Sequence, residues 1–324
     1  MVANSYPHIQ AGMVESKERP QLPLLARILR TYYRTNLRGR TRVTSLLARH
    51  CKSLQAVPIR IDDWPAVYVD LRLLNAHFWL IGTPFAHSPI EPDEQIVMRK
   101  FVREGDTIFD IGANFGVHTT LLAQLAGPRG RVFAFEPNAE LLPALALTAE
   151  GLGNATLLPY ALSDGDTEAA FFVPSERAMA SLADWTSLEP VADRLAAGKA
   201  HTITVQQQRM DDLVGKGILP LPNFVKCDVE GAEWKVFRGG RETLDRIDAP
   251  VVLFEADPES AAGFGLTMTD AAGFLCGLPR PGYQLFEVGS GGTLRCVRPA
   301  GLKQRWQNLL AVPRAECARH PDLA

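Results

Sequence analysis

The chain predicts an α/β fold organised around a doubly wound, mostly parallel sheet, and three observations predict it. Strand-like and helix-like runs alternate from about residue 65 onward. A glycine-bounded turn, Gly112 to Gly116, sits where a strand feeds a helix. Glu136 then ends the next strand, 20 residues beyond Gly116. Composition sets the frame: 324 residues, 46% hydrophobic and 22% charged, exclude collagen-like, low-complexity and disulfide-stapled classes.

Taken in order, Leu25, Ile28, Leu29 and Tyr32 fall at i, i+3, i+4 and i+7, which predicts a short amphipathic helix. Val67, Val69 and Leu71 alternate with other residues as one strand, and residues 78–81 before Gly82 read as another; together they form an N-terminal subdomain or lid. Thr107 to Ile111 is a buried strand and Val117 to Ala126 its helix, stopped by Gly127 and Pro128. Arg131 to Phe135, a helix from Ala139 to Gly151, and Ala155 to Leu158 continue the pattern with right-handed crossovers. Glu168–Val173 and Thr202–Val205 read as two extra strands around a looser segment. Phe224 to Asp228, a helix from Ala232 to Leu244, and Val251 to Phe254 follow. Tyr283–Val288 and Thr293–Val297, joined through Gly289–Gly292, predict a hairpin. The expected organisation is a basic, partly helical extension over residues 1–64, the sheet domain over 65–300, and a tail over 301–324.

The formal charge of −2 conceals an asymmetry. Residues 1–60 hold eleven Lys or Arg against Glu15 and Glu18, so the remainder is acidic. A basic amphipathic helix suits its own core first, and leaves peripheral membrane contact through residues 20–60 open. Nucleic acid is not expected, because the rest of the chain is acidic and carries no binding module. Five scattered cysteines with no C-x-x-C pair, no apolar leader and no long apolar run predict a soluble, cytoplasmic protein without a structural zinc site.

The chemistry concentrates at strand ends. The run Asp110-Ile-Gly112-Ala-Asn114-Phe115-Gly116 lies where open α/β sheets bind nucleotides. Its G-x-x-x-G spacing departs from the G-x-G-x-x-G of dinucleotide sites, and no Tyr-x-x-x-Lys pair is present; both weaken a rival reading as an NAD(P)-dependent oxidoreductase. Glu136 is placed to accept ribose hydroxyls. On the fourth core strand, Lys226, Asp228, Glu230 and Glu233 bring carboxylates to the crevice. Glu230 and Glu233 would equally serve as helix caps. Asp228, Glu230 and Glu255 form an oxygen-rich set that could instead hold Mg²⁺, although no metal is required. His77, His87, His118, Trp79, Trp185 and Trp234 are read first as packing residues, His118 alone opening the helix after the turn.

Asp110–Gly116, followed by Phe135-Glu136-Pro137, Ala161-Leu-Ser163-Asp164 and Lys226-Cys-Asp228-Val-Glu230-Gly231-Ala-Glu233, resembles the FkbM family of S-adenosylmethionine-dependent methyltransferases over roughly residues 65–260. The resemblance implies a Rossmann-like, seven-stranded class I methyltransferase fold, bound S-adenosylmethionine, and methyl transfer to an oxygen of a saccharide or small secondary metabolite. It implies that Asp110, Gly112, Asn114, Phe115, Gly116 and Glu136 hold the methionine and ribose portions, with Ser163 and Asp164 near the adenine. Asp228 is the first candidate base, Glu230 and Glu255 its substitutes, and Lys226 their partner. A non-catalytic module keeping the same fold is the second rival. Acceptor choice is expected in residues 60–100 and 173–202, and the oligomeric state is open.

Overall fold

The structure, a computed structural model, describes residues 21–323 except 36–37, 62–63, 74–75, 78–90 and 175–199. The strand expected at 78–81, Trp79, Trp185 and His87 lie outside the described residues, as does most of the 173–202 insertion. Two helices open the described chain, α1 (Leu24–Arg34) and α2 (Arg40–His50), followed by a small antiparallel pair, β1 (Val57–Ile59) and β2 (Val67–Val69). Helix α3 (Pro92–Phe101) leads into β3 (Thr107–Ile111), α4 (Val117–Ala126), β4 (Arg131–Phe135), α5 (Leu142–Leu152) and β5 (Ala155–Leu158).

The next strands are β6 (Ala161–Leu162), β7 (Glu168–Pro174) and β8 (Ala200–Gln208), which form a separate three-stranded sheet in the order β6-β8-β7. The chain returns to the main sheet with β9 (Phe224–Cys227), β10 (Val251–Ala256), β11 (Gln284–Gly289), β12 (Thr293–Val297) and β13 (Gln307–Val312). The main-sheet order is β12-β11-β13-β10-β9-β3-β4-β5. Its strands from β10 to β5 pair in parallel, and β11, β12 and β13 pair antiparallel. The fold class is as expected, with eight strands where seven were expected: the predicted hairpin forms, and its second arm, β12, adds an outer edge strand.

Period-two side-chain alternation builds the two layers. Ile108, Val132, Phe224 and Leu253 point to one hydrophobic core, while Phe109, Phe133, Val225 and Phe254 point to the other. The first core also takes Ala26, Leu29 and Tyr33 of α1, so the basic extension shares a core with the sheet domain. The stripe inferred for α1 is rotated from the expected one: Ile28 is 55% exposed and Ala26 is fully buried. At the other end, the expected tail boundary is corrected by β13, which is buried along its whole length between β11 and β10. Its apolar run needs cover on both faces, and a central position supplies it. The helix expected over 232–244 breaks into two, Glu233–Gly239 and Arg241–Leu244. The break falls at Gly239-Gly240, where a Cβ on Gly239 would lie 1.9 Å from the Ser163 carbonyl oxygen.

Chain order reverses between β3 and β9: β4 and β5 lie to one side, β10 and β13 to the other. The crevice at the carboxyl ends of that pair is the ligand position of a doubly wound sheet.

Candidate active site

Asp110 and Lys226 face each other in register across this reversal, on β3 and β9. Asp110 is fully buried; its Oδ2 accepts from Thr119 Oγ1 at 2.5 Å, whereas Oδ1 has no hydrogen-bond partner. Burial pushes its pKa up, against the pull of the Lys226 charge and the Thr119 hydroxyl. An unpaired buried carboxylate oxygen is expensive, and its position fits a donor supplied by a ligand.

The turn between β3 and α4 is dictated by backbone contacts. Gly112 has φ +83°, and a Cβ there would come 1.8 Å from the Asp228 carbonyl oxygen. Its glycine is therefore required by the approach of the β9 loop, whatever ligand binds. Phe115 is 2% exposed and packed in the first hydrophobic core, where an aromatic ring gains from apolar burial. Asn114, exposed at φ 53°, turns its N–H to Glu136. Glu136 is 5% exposed; its two oxygens accept from the N–H groups of Asn114 and Asn138, each at 2.9 Å. A carboxylate has about four acceptor positions, so capacity remains for a vicinal diol. Burial raises its pKa to about 7, against those two N–H bonds.

Beyond β9 lies the carboxylate cluster. Lys226 Nζ donates to Asp228 Oδ2 at 2.7 Å, from a side chain only 4% exposed. Burial works against the lysine charge, but Asp228, Asp110, Glu94 and Glu91 outweigh it and hold its pKa well above the ordinary value. Burial likewise opposes Asp228 ionisation; the Lys226 charge and hydrogen bond win, and the Asp228 pKa falls. Glu230 behaves oppositely. Burial, then the charges of Asp228, Glu233 and Asp257, raise it to about 8, and its backbone sits at φ 55°. Glu255, on β10, is raised well above the usual range by burial and by Asp228 and Glu230, and accepts a hydrogen bond from Trp306 Nε1. One oxygen each of Asp228, Glu230 and Glu255 lie within 4.8 Å of one another.

An aspartate held ionised against a lysine is a weaker base than a carboxylate whose proton affinity lies near neutral pH, as that of Glu230 does. Glu233 is a cap: its Oε1 accepts from the N–H groups of Val229 at 3.1 Å and Gly231 at 3.3 Å. Ser163 Oγ accepts from Gln207 Nε2 at 3.3 Å, and Asp164 pairs with Arg238 at 3.4 Å. His77 is a satisfied packing residue, its Nε2 donating to the Leu71 carbonyl at 2.7 Å and its Nδ1 accepting from the Tyr33 hydroxyl at 2.5 Å. Trp234 lies under the Arg238 guanidinium, 5.0 Å from its ring centroid.

Sequence reasoning missed Glu91, Glu94 and Trp306. Glu91 and Glu94 stand in the field of Lys226 and Asp228, brought there by α3, and no local spacing links them to the glycine turn. His118, singled out by its place after that turn, joins them. Burial, reinforced by the Lys226 charge, lowers its pKa to about 3.

With this geometry in view, a family model described as "Methyltransferase FkbM domain" matches residues 110–276. A hexuronic acid methyltransferase, AglP of Haloferax volcanii, is 30% identical over 178 residues, 51% of this chain and 65% of that protein. A protein-L-isoaspartate O-methyltransferase of Aeropyrum pernix is 29% identical over 101 residues, 31% of this chain and 39% of that one. The chain thus spans less than two thirds of the length of these curated relatives. Among solved structures, a SAM-dependent O-methyltransferase of Thermotoga maritima aligns with a TM-score of 0.37 at 13% identity, over 79% of this chain and 78% of that chain.

Proposed function

The chain belongs to the FkbM methyltransferase family, and from that premise we propose that it transfers the methyl group of S-adenosylmethionine to a hydroxyl oxygen of a carbohydrate or similar polar metabolite. The observation that carries the cofactor half is the pair of buried acceptors flanking the glycine turn, the unpartnered Asp110 Oδ1 and the half-used Glu136 carboxylate. They fit the ammonium and ribose of such a cofactor. When bound, the cofactor supplies an electrophilic methyl on a sulfonium, a cation that the surrounding carboxylates favour. Ser163 and Asp164 complete the proposal at the adenine end.

The protein's own part is positioning and proton removal. Glu230 takes the acceptor hydroxyl proton as the new carbon–oxygen bond forms. Lys226 keeps Asp228 charged and fixed beside it, and Glu255, held by Trp306, closes the far side. The saccharide acceptor rests on the hexuronic acid methyltransferase relative and on this polar, acid-lined crevice. Contact with an anionic lipid surface fits the N-terminal helices, where Leu24, Ile28, Val43 and Leu46 are exposed beside Arg27, Arg42 and Arg49. Among the described residues no helix is long and apolar enough to cross a membrane.

The direct test is calorimetric titration with S-adenosylhomocysteine, NAD and NADP, followed by a screen of hexuronic acids and other saccharides with labelled methyl donor. Binding of S-adenosylhomocysteine alone is expected. Heat from a dinucleotide alone would return the oxidoreductase reading, and cofactor binding with no methylated product on any hydroxyl acceptor would favour the non-catalytic one.

A further inference from the structure

On the α3 side of the Asp110–Lys226 pair, one ligand-type atom each from Glu91, Glu94 and His118 converge within 4.8 Å of one another. His118 Nε2 lies 3.2 Å from Glu91 Oε2 and 3.7 Å from Glu94 Oε2. His118 is 8% exposed and Glu94 5%, and both His118 Nε2 and Glu94 Oε2 are buried with no hydrogen-bond partner. Two elements that meet only in the tertiary fold supply them: α3 with the residue before it, and the second residue of α4.

We propose that Glu91, Glu94 and His118 form a binding site for a first-row divalent cation of the Mn²⁺, Fe²⁺ or Zn²⁺ class. Ligand atoms each about 2.1 Å from a tetrahedral ion lie about 3.4 Å apart. The observed 3.2 and 3.7 Å from His118 Nε2 to the two carboxylate oxygens bracket that value. One imidazole nitrogen with two carboxylates selects these metals over Mg²⁺ and Ca²⁺, which take oxygen sets. Three protein ligands leave a coordination position for water or a substrate oxygen. The Glu91 side chain is 27% exposed, so the set is not sealed from solvent.

The alternative arrangement of the same atoms is a proton shared between the two glutamates, which hydrogen-bond each other. It leaves His118 Nε2 buried without a hydrogen-bond partner, at a cost of about 1–3 kcal/mol, whereas a dication satisfies all three. The second acidic group, Asp228, Glu230 and Glu255, is all oxygen and already holds the Lys226 and Trp306 hydrogen bonds, so it competes poorly for these metals. The site stands on these contacts whether or not the chain transfers methyl groups.

The experiment is titration of the EDTA-stripped full chain with Mn²⁺, read by loss of the free-ion electron paramagnetic resonance signal, with Zn²⁺ and Mg²⁺ followed by calorimetry. One equivalent of Mn²⁺ or Zn²⁺ should bind, with Mg²⁺ much weaker. His118→Gln and Glu94→Gln should each weaken binding at least about tenfold, while Glu255→Gln leaves it unchanged. Because a variant at a buried position can fail to fold, the wild-type Mn²⁺ complex is also examined for nitrogen-14 coupling, which is expected from an imidazole ligand. Absence of binding, absence of that coupling, or binding abolished by Glu255→Gln alone would overturn the assignment.

Discussion

Glu136→Gln separates ligand binding from fold support, because the two depend on different atoms of one side chain. In the wild type each carboxylate oxygen accepts one backbone N–H, from Asn114 and from Asn138. Glutamine keeps one acceptor and turns an amide NH₂ toward the other N–H, a loss of about 1–3 kcal/mol. Against this stands the charge that the variant no longer buries. The folded pKa of about 7 exceeds the ordinary value of 4.5, so the folded state holds the proton more tightly than the unfolded one. That contribution to stability is fully present below about pH 4.5 and is lost as pH rises to about 7, in total on the order of 3 kcal/mol. The two effects nearly cancel at pH 7.5, where wild type and variant should melt within a few degrees of each other; at pH 5 the variant should be the less stable. Affinity has no such compensation. Losing the charge and one acceptor toward a ribose diol costs about 1.5–3 kcal/mol, or roughly ten- to a hundredfold in Kd. Calorimetry with S-adenosylhomocysteine at pH 8, alongside thermal melts at pH 5 and 7.5, reads both. Undiminished affinity in a folded variant would refute the placement of the ribose at Glu136.

Other residues give independent tests. Glu230, with its pKa near 8, should make kcat/KM rise with pH up to a plateau above about 8; Glu230→Gln should flatten that profile and slow turnover by roughly a hundredfold or more, and an unchanged profile would remove it as the base. Gly112→Ala places a methyl against the Asp228 carbonyl at positive φ and should destabilise the fold by about 3 kcal/mol or more; a normal urea midpoint would contradict the backbone geometry. Sedimentation with phosphatidylserine vesicles should carry the protein down at low salt and release it at high salt, and Leu24→Asp with Ile28→Asp should abolish it. Equal sedimentation with neutral vesicles would rule out the electrostatic part.

Legibility in the sequence followed the range of the contacts. Strands buried on both faces, such as Thr107–Ile111, announce themselves by composition, and the glycine turn with Glu136 by spacing. The steric demand on Gly112 was not legible because it comes from Asp228, more than a hundred residues later. Residues 307–312 looked like a tail because an apolar run near the end of a chain carries no mark of its partners; only the sheet shows β10 and β11 on either side. Glu91 and Glu94 read as ordinary acids opening a helix, since nothing local ties them to His118. The opposite proton affinities of Asp228 and Glu230 could not be seen either: both are acids two residues apart, and only Asp228 takes the Lys226 hydrogen bond.

Backbone strain supplies an argument independent of charge. Among the described residues only Glu91, Asn114 and Glu230 hold a positive φ without being glycine, at 47°, 53° and 55°. Each such residue costs about 1–3 kcal/mol, so chance scatter over the chain is disfavoured. All three belong to the same charge network: Asn114 donates to Glu136, and Glu91 and Glu230 both feel Asp228 and Lys226. They lie on three separate connections, before α3, after β3 and after β9. A purely structural use of the acids, as caps and surface pairs, would need no such conformations, as Glu233 shows by capping its turn at ordinary helical geometry. Where three loops each hold a non-glycine residue in the left-handed region around one crevice, the surrounding fold is stabilising an arrangement that local preference resists, the pattern expected of a ligand site.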